Sequence, residues 1–217
     1  MTHLPSTSLV ALLAFTASSP LLYAGPSDSA KRPLAVPFLP PLSVFSKGKF
    51  EFQSVTGMAF AFSPDDSDRP AIDYSVSSYR LGIMLDDVSG EGFSRGNTEL
   101  LAEGFFGRVS EGPGDYLGGA TLILRYNFVQ PETRWIPYAQ LGAGAFFSDI
   151  HKDQSQDLIG QAWEYNLQAG VGIRYLFWET WAFSLEGSYR HVSNFGSSDR
   201  NTGLDALSAS AGFGRFF

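Results

Sequence analysis

The sequence predicts an all-β fold, an eight-stranded antiparallel up-and-down β-barrel that crosses a membrane. Three observations predict it. From residue 48 onward the chain falls into eight segments, each of about 12 to 17 residues, in which apolar and polar side chains alternate. Turn-forming residues separate the segments. Bulky aromatic side chains gather on one face of the segments, opposite Gly, Ala, Ser and most of the charges. The predicted strands are 49–62, 72–87, 97–110, 115–129, 134–148, 161–177, 180–193 and 203–217.

Alternation decides the class because a strand points successive side chains to opposite faces, and a barrel in lipid needs one apolar face and one polar or small face. The first segment sets Phe50, Phe52, Ser54, Thr56, Met58, Phe60 and Phe62 against Glu51, Gln53, Val55, Gly57, Ala59 and Ala61. The sixth sets Trp163, Tyr165, Leu167, Ala169, Val171, Ile173, Tyr175 and Phe177 against Glu164, Asn166, Gln168, Gly170, Gly172 and Arg174. The fourth opposes Tyr116, Leu122, Leu124, Tyr126 and Phe128 to Thr121, Arg125 and Asn127, with its aromatics toward the ends, as interfacial girdles require. The third is less clean, since Leu101 and Phe105 share a face with Glu99 and Glu103.

A soluble barrel would reverse the arrangement, with apolar residues inside and charges outside. The aromatic faces are too bulky for the inside of so small a barrel, so they face lipid. Glu51, Arg80, Glu103, Arg125, Arg174, Glu186 and Arg190 then face the lumen, where opposite charges can pair and fill it as a polar core rather than a channel. Connections 88–96, 130–133 and 178–179 share one end with both termini, the periplasmic end of an outer-membrane barrel. Connections 63–71, 111–114, 149–160 and 194–202 share the extracellular end. The chain closes on Phe217, with Phe213 on the same face and Arg215 between them, similar to the C-terminal aromatic signal of outer-membrane barrels.

Residues 1–24 read as a signal peptide around the short apolar run Leu9 to Phe15, which is too short to span a bilayer; a buried N-terminal helix is the alternative. Residues 25–47, with Pro33, Pro37, Pro40 and Pro41, read as an extended leader, and 48–217 as the barrel domain. No stretch is long and apolar enough for a membrane helix. A net charge of −7, with the fifteen Lys and Arg scattered, argues against nucleic acid as a partner. The chain has no cysteine, which removes disulfides, zinc–thiolate sites and cysteine nucleophiles. Chemistry falls to hydroxyls, carboxylates and imidazole.

The seventh segment carries Trp181, Phe183, Leu185, Gly187 and Tyr189 on its lipid face, and that face continues into His191 and Ser193. Their Cα atoms, two residues apart on a strand, lie about 7 Å from each other. The eighth segment places Asp205 on the same side, and the hairpin brings it to the same rim. Near the interface a polar group on the lipid face costs only about 0–1 kcal/mol. An acid, a base and a hydroxyl on one patch have the logic of a Ser/His/acid triad, with Ser193 as nucleophile, His191 as base and Asp205 as orienting acid. A polar interfacial group without chemistry is the competing reading.

The stretch Tyr189-Arg190-His191-Val192-Ser193-Asn194, followed by Asn201, Gly203 and Asp205, resembles the C-terminal signature of the lipid A 3-O-deacylase family. The resemblance implies an outer-membrane hydrolase that removes the ester-linked 3-acyl chain of lipid A with no metal or other cofactor. It implies His191 and Ser193 as base and nucleophile, and Asn194 and Asn201 as residues that hold the oxyanion or shape its pocket. The implied partner is lipid A or lipopolysaccharide of the outer leaflet, and a homodimer is left open. Asp205 stands where the family usually has Glu, and Phe195 where a small residue is expected. A structural or adhesive barrel, and a phospholipase or acyltransferase on the same fold, are the alternatives.

Overall fold

Each strand carries apolar side chains to lipid at every second position and small or polar ones to the lumen between them. The computed structural model describes residues 42–62 and 70–217. The predicted signal peptide, most of the predicted leader and most of the connection after the first strand lie outside the described residues. The strands are β1 (Phe50–Phe62), β2 (Asp73–Met84), β3 (Gly96–Glu111), β4 (Tyr116–Phe128), β5 (Trp135–Ser148), β6 (Trp163–Phe177), β7 (Trp181–Ser193) and β8 (Leu204–Phe216). Each pairs antiparallel with the next, and β8 pairs with β1 to close the barrel.

The expected eight strands are therefore present, with boundaries close to those read from the pattern. The largest difference is in β2, which ends at Met84 rather than at 87. Carboxylates replace the ladder there: Asp86 Oδ1 accepts from the Thr98 amide at 2.6 Å and Asp87 Oδ1 from the Lys47 amide at 2.9 Å. The end of the predicted leader also differs from an extended chain. Leu42–Phe45 form a 3-10 turn, with Val44 and Phe45 buried and the Phe45 ring edge-on to Phe216 at 5.3 Å.

Burial follows the predicted parity. Leu81, Leu141 and Val171 point outward at about two-thirds exposure, in the company of Phe60, Leu122 and Trp163. Such a wall is stable only against hydrocarbon. The ambiguity of β3 resolves with Glu99, Leu101, Glu103 and Phe105 all inward, while Leu100 and Phe106 face out.

The lumen is filled in three layers. At the rim that carries Leu42–Phe45 and the C-terminus, Phe45, Met84, Ile136, Leu176 and Phe216 form an apolar plug. At the opposite rim a second apolar cluster contains Tyr74, Phe105, Phe146, Ile159, Val192 and Leu204. Between them lies a charged layer. Arg80 grips Glu186 through two nitrogens, at 2.7 and 2.9 Å, and Glu103 through Nε at 2.6 Å. Arg174 bridges Glu51 at 3.0 Å and Glu99 at 2.8 Å. Arg125 bonds Gln140 through Nε at 2.8 Å and lies 4.3 Å from the centre of the Tyr138 ring, whose hydroxyl donates to Glu186. The charges read from the sequence thus pair as a polar core.

Desolvating these ions costs several kcal/mol each, and only mutual pairing offsets it. Deleting one partner leaves the others buried without compensation. We expect Arg174→Met, which keeps the length of the stem but strands Glu51 and takes from Glu99 its nearest cation, to destabilise the barrel by about 3–5 kcal/mol. Urea titration in micelles, read from the mobility shift between folded and unfolded barrels on gels, measures it; an unchanged midpoint would refute the expectation.

Candidate active site on the lipid-facing wall

The site is assembled by register. In the β7–β8 pairing His191 stands directly opposite Asp205, and Tyr189 opposite Leu207. Directly opposed residues of an antiparallel pair bring their Cβ atoms to about 5 Å, within reach of an imidazole and a short carboxylate. His191 Nδ1 lies 2.8 Å from Asp205 Oδ1. An ionised carboxylate only accepts, so Nδ1 carries the proton and donates, which leaves Nε2 as the basic nitrogen. The imidazole is about one-third exposed, whereas Asp205 is buried.

Asp205 is covered although it belongs to a lipid-facing row, because it sits between strands with large neighbours. On the β1 side its register partner is Phe62, whose ring packs 6.2 Å from that of Tyr189. The Tyr189 hydroxyl donates to Asp205 Oδ1, the same oxygen that receives the histidine. A mixed cavity of about 100 Å³, lined by Ala61, Phe62, Pro70, Leu158 and Gly203, adjoins the carboxylate.

Ser193 follows one pleat farther toward the rim on the same face, paired with Tyr165 of β6 and half-buried. Its hydroxyl has no hydrogen-bond partner among the described residues. The structure thus joins His191 to Asp205 and leaves Ser193 on their face, its hydroxyl uncommitted.

Asn194 and Asn201 are placed differently. The Asn194 side chain is buried and turned into the connection between β7 and β8. Its Oδ1 accepts from the Gly196 amide at 3.0 Å, and its Nδ2 donates to the Arg200 carbonyl at 2.9 Å and to Glu164 at 3.3 Å. The Asn194 backbone N–H is held by Asn201 Oδ1 at 2.8 Å. Both asparagines shape the turn. Near Ser193, the Phe195 backbone N–H and Asn201 Nδ2 are without a partner among the described residues.

The turn is anchored to the β5–β6 connection. The Arg200 guanidinium donates to the carbonyls of His151, Asp153 and Gln156 at 2.9 to 3.1 Å, and the Thr202 and Gly203 amides bond the carbonyls of Asp157 and Leu158, both at 3.1 Å. Glu164 Oε1 accepts from the Gly160 amide at 2.9 Å on the same platform. Tyr189 and Glu164 join the site through contacts that the alternation of the strands does not signal. Parity alone places Tyr189 outward and Glu164 inward; the missing information was the diagonal across the hairpin for the first and the loop contact for the second.

Two backbone features surround the imidazole. Gly203 has φ +84°, and a Cβ there would lie 3.1 Å from His191 Cε1, so both conformation and space call for glycine. Phe195 adopts φ +53°, a strained setting for an aromatic residue, with its ring exposed and 5.0 Å from that of Tyr165. Below the site, a groove of about 950 Å³ runs across the outer wall between Leu124, Leu141, Ala169, Val171, Tyr189 and Leu207. Among the described residues no group of three or more His, Asp or Glu converges as a metal site would.

The lipid A 3-O-deacylase (PagL) family matches residues 73–214, from β2 almost to the end of β8. The chain belongs to the lipid A 3-O-deacylase family. The match to lipid A 3-O-deacylases takes in Tyr189, His191, Ser193, Asn194, Asn201 and Asp205, while Ala61, Phe62 and Pro70 beside the carboxylate lie outside it. Among solved structures, Neisserial surface protein A is similar at 15% identity, covering 78% of this chain and 99% of its own, with a TM-score of 0.54. The outer membrane enzyme PagL is similar at 17% identity, covering 73% and 97%, with a TM-score of 0.50. At those identities the likeness establishes the fold. No curated protein matches the chain.

We expect Gly203→Ala to push the imidazole off Asp205 and to strain the turn, costing about 1 kcal/mol or more. A His191 ring resonance shift by NMR in micelles checks it; an unmoved ring would refute it. The platform also carries a pH dependence. Burial opposes ionisation of Asp149, but the Asp115 and Tyr116 amides bonded to its Oδ1 and the nearby Lys152 hold its carboxyl below the usual carboxylate range. A depressed folded value means the bonds stabilise above the unfolded value and are lost as pH falls through the folded one. The protection factors of the Asp115 and Tyr116 amides, exchange rates corrected for the intrinsic pH dependence, should therefore hold at neutral pH and fall once the pH drops below the ordinary carboxylate range.

Proposed function

We propose that the chain is an ester hydrolase of the outer leaflet that removes the 3-O-linked acyl chain of lipid A. The observation that carries this reading is the His191–Asp205 pair at 2.8 Å on the lipid-facing wall, with the uncommitted Ser193 hydroxyl beside it. A structural barrel has no use for a buried carboxylate holding an imidazole toward lipid.

In the proposed reaction Ser193 Oγ attacks the ester carbonyl and its proton passes to His191 Nε2, while Asp205 supports the charged imidazole through Nδ1. The tetrahedral oxyanion is met by donors near Ser193, for which the Phe195 N–H and Asn201 Nδ2 are free. Collapse passes the proton from Nε2 to the sugar hydroxyl, which leaves. Water, deprotonated by the same nitrogen, then releases the fatty acid from Ser193. The apolar groove beside Tyr189 and Leu207 is suited to the acyl chains that remain on the sugar. Membership of the lipid A 3-O-deacylase family and the lipid-facing wall support a working site in the outer membrane, with catalysis at the rim that carries the β7–β8 connection.

Mass spectrometry of lipid A from expressing cells tests the proposal. Wild type should lose one hydroxyacyl chain, whereas Ser193→Ala and His191→Ala should leave lipid A intact; identical spectra in all three would sink it. Asp205→Asn should lower the rate about a hundredfold or more, because an amide cannot support the charged imidazole. Asp205→Glu should retain activity.

A further inference from the structure

We propose that Tyr189 is a positioning residue that lets the short acid Asp205 hold the imidazole. The inference deepens the hydrolase reading and rests on it.

Asp205 and His191 face each other across the strand pair, so the aspartate spans the gap with a single methylene. Its terminal torsion is soft, and one hydrogen bond to His191 leaves the carboxylate free to swing about that bond. Tyr189 removes this freedom. It precedes His191 by two residues on the same face, one pleat toward the membrane core, and is opposite Leu207 rather than Asp205. The diagonal to Asp205 spans about 7–8 Å between backbones, a distance a phenol covers and shorter side chains do not. The hydroxyl arrives on Oδ1, the oxygen that also receives His191 Nδ1. Two donors on one oxygen aim it at the histidine.

The ring is itself braced. Phe62 packs on it from β1, and its outer face, about one-third exposed, forms part of the groove wall. Tyr189 thus also stands between Asp205 and hydrocarbon on the groove side, keeping the carboxylate covered. A longer acid would reach the imidazole from a different angle and need no such brace. The cavity of about 100 Å³ beside Asp205 has room for the added methylene. Tyrosine and aspartate therefore act as a coupled pair.

The test is a double-mutant cycle on the full refolded chain in detergent micelles, using the rate of Ser193 labelling by an alkyl fluorophosphonate. In that step Ser193 Oγ bonds to phosphorus, fluoride leaves and the serine proton passes to His191, so the rate reports activation without lipid A. Ser193→Ala sets the blank, and gel mobility shows that each variant is folded. Tyr189→Phe should slow labelling about tenfold in the Asp205 protein and less than twofold in the Asp205→Glu background. Equal losses in both backgrounds, no loss in either, or no labelling of the wild type would overturn the proposal. A wild type that labels with this coupling yet leaves lipid A intact would support Tyr189 and overturn the substrate reading alone.

Discussion

A strand edge left open in hydrocarbon leaves N–H and C=O groups unpaired at several kcal/mol each, and the pairing of β8 with β1, from Glu51–Phe216 to Phe62–Asp205, removes the last such edge. Closure fixes far more than stability. With strand number and register set, every side chain is assigned to lipid or lumen by its parity. The last pair of that seam also places Phe62 beside Asp205, so the ring that closes the barrel helps to cover the acid of the site.

An eight-stranded lumen is narrow, and here it is fully used. Two apolar plugs bracket Arg80, Arg125, Arg174 and their glutamates. The inside is committed to holding the wall in shape, so function falls to the outside. There the same parity that turns Arg190 inward turns His191 outward, and that buries Val192 turns Ser193 outward.

Period-two alternation made the strands, the lipid face and the inward charges legible, since each depends only on position along a strand. His191, Ser193 and Asp205 were legible because parity and one hairpin turn suffice to bring them to a common rim. Tyr189 on Asp205 was not, because a diagonal contact depends on register to the residue, which alternation does not specify. The inward turn of Asn194 depends on Arg200 and Glu164, contacts between two connections whose sequences carry no periodic signal. The short end of β2 arose from Asp86 and Asp87 replacing ladder bonds, a local competition that composition does not announce.

The groove beneath His191 has no roof of its own, and the membrane supplies the missing wall. On the proposed reading, encounter is then a matter of lateral diffusion in two dimensions, and what sets occupancy is the number of substrate molecules per unit area of leaflet. Bulk dilution leaves that number unchanged, while mixing in foreign lipids lowers it. Turnover by such a barrel reads the composition of the leaflet around it.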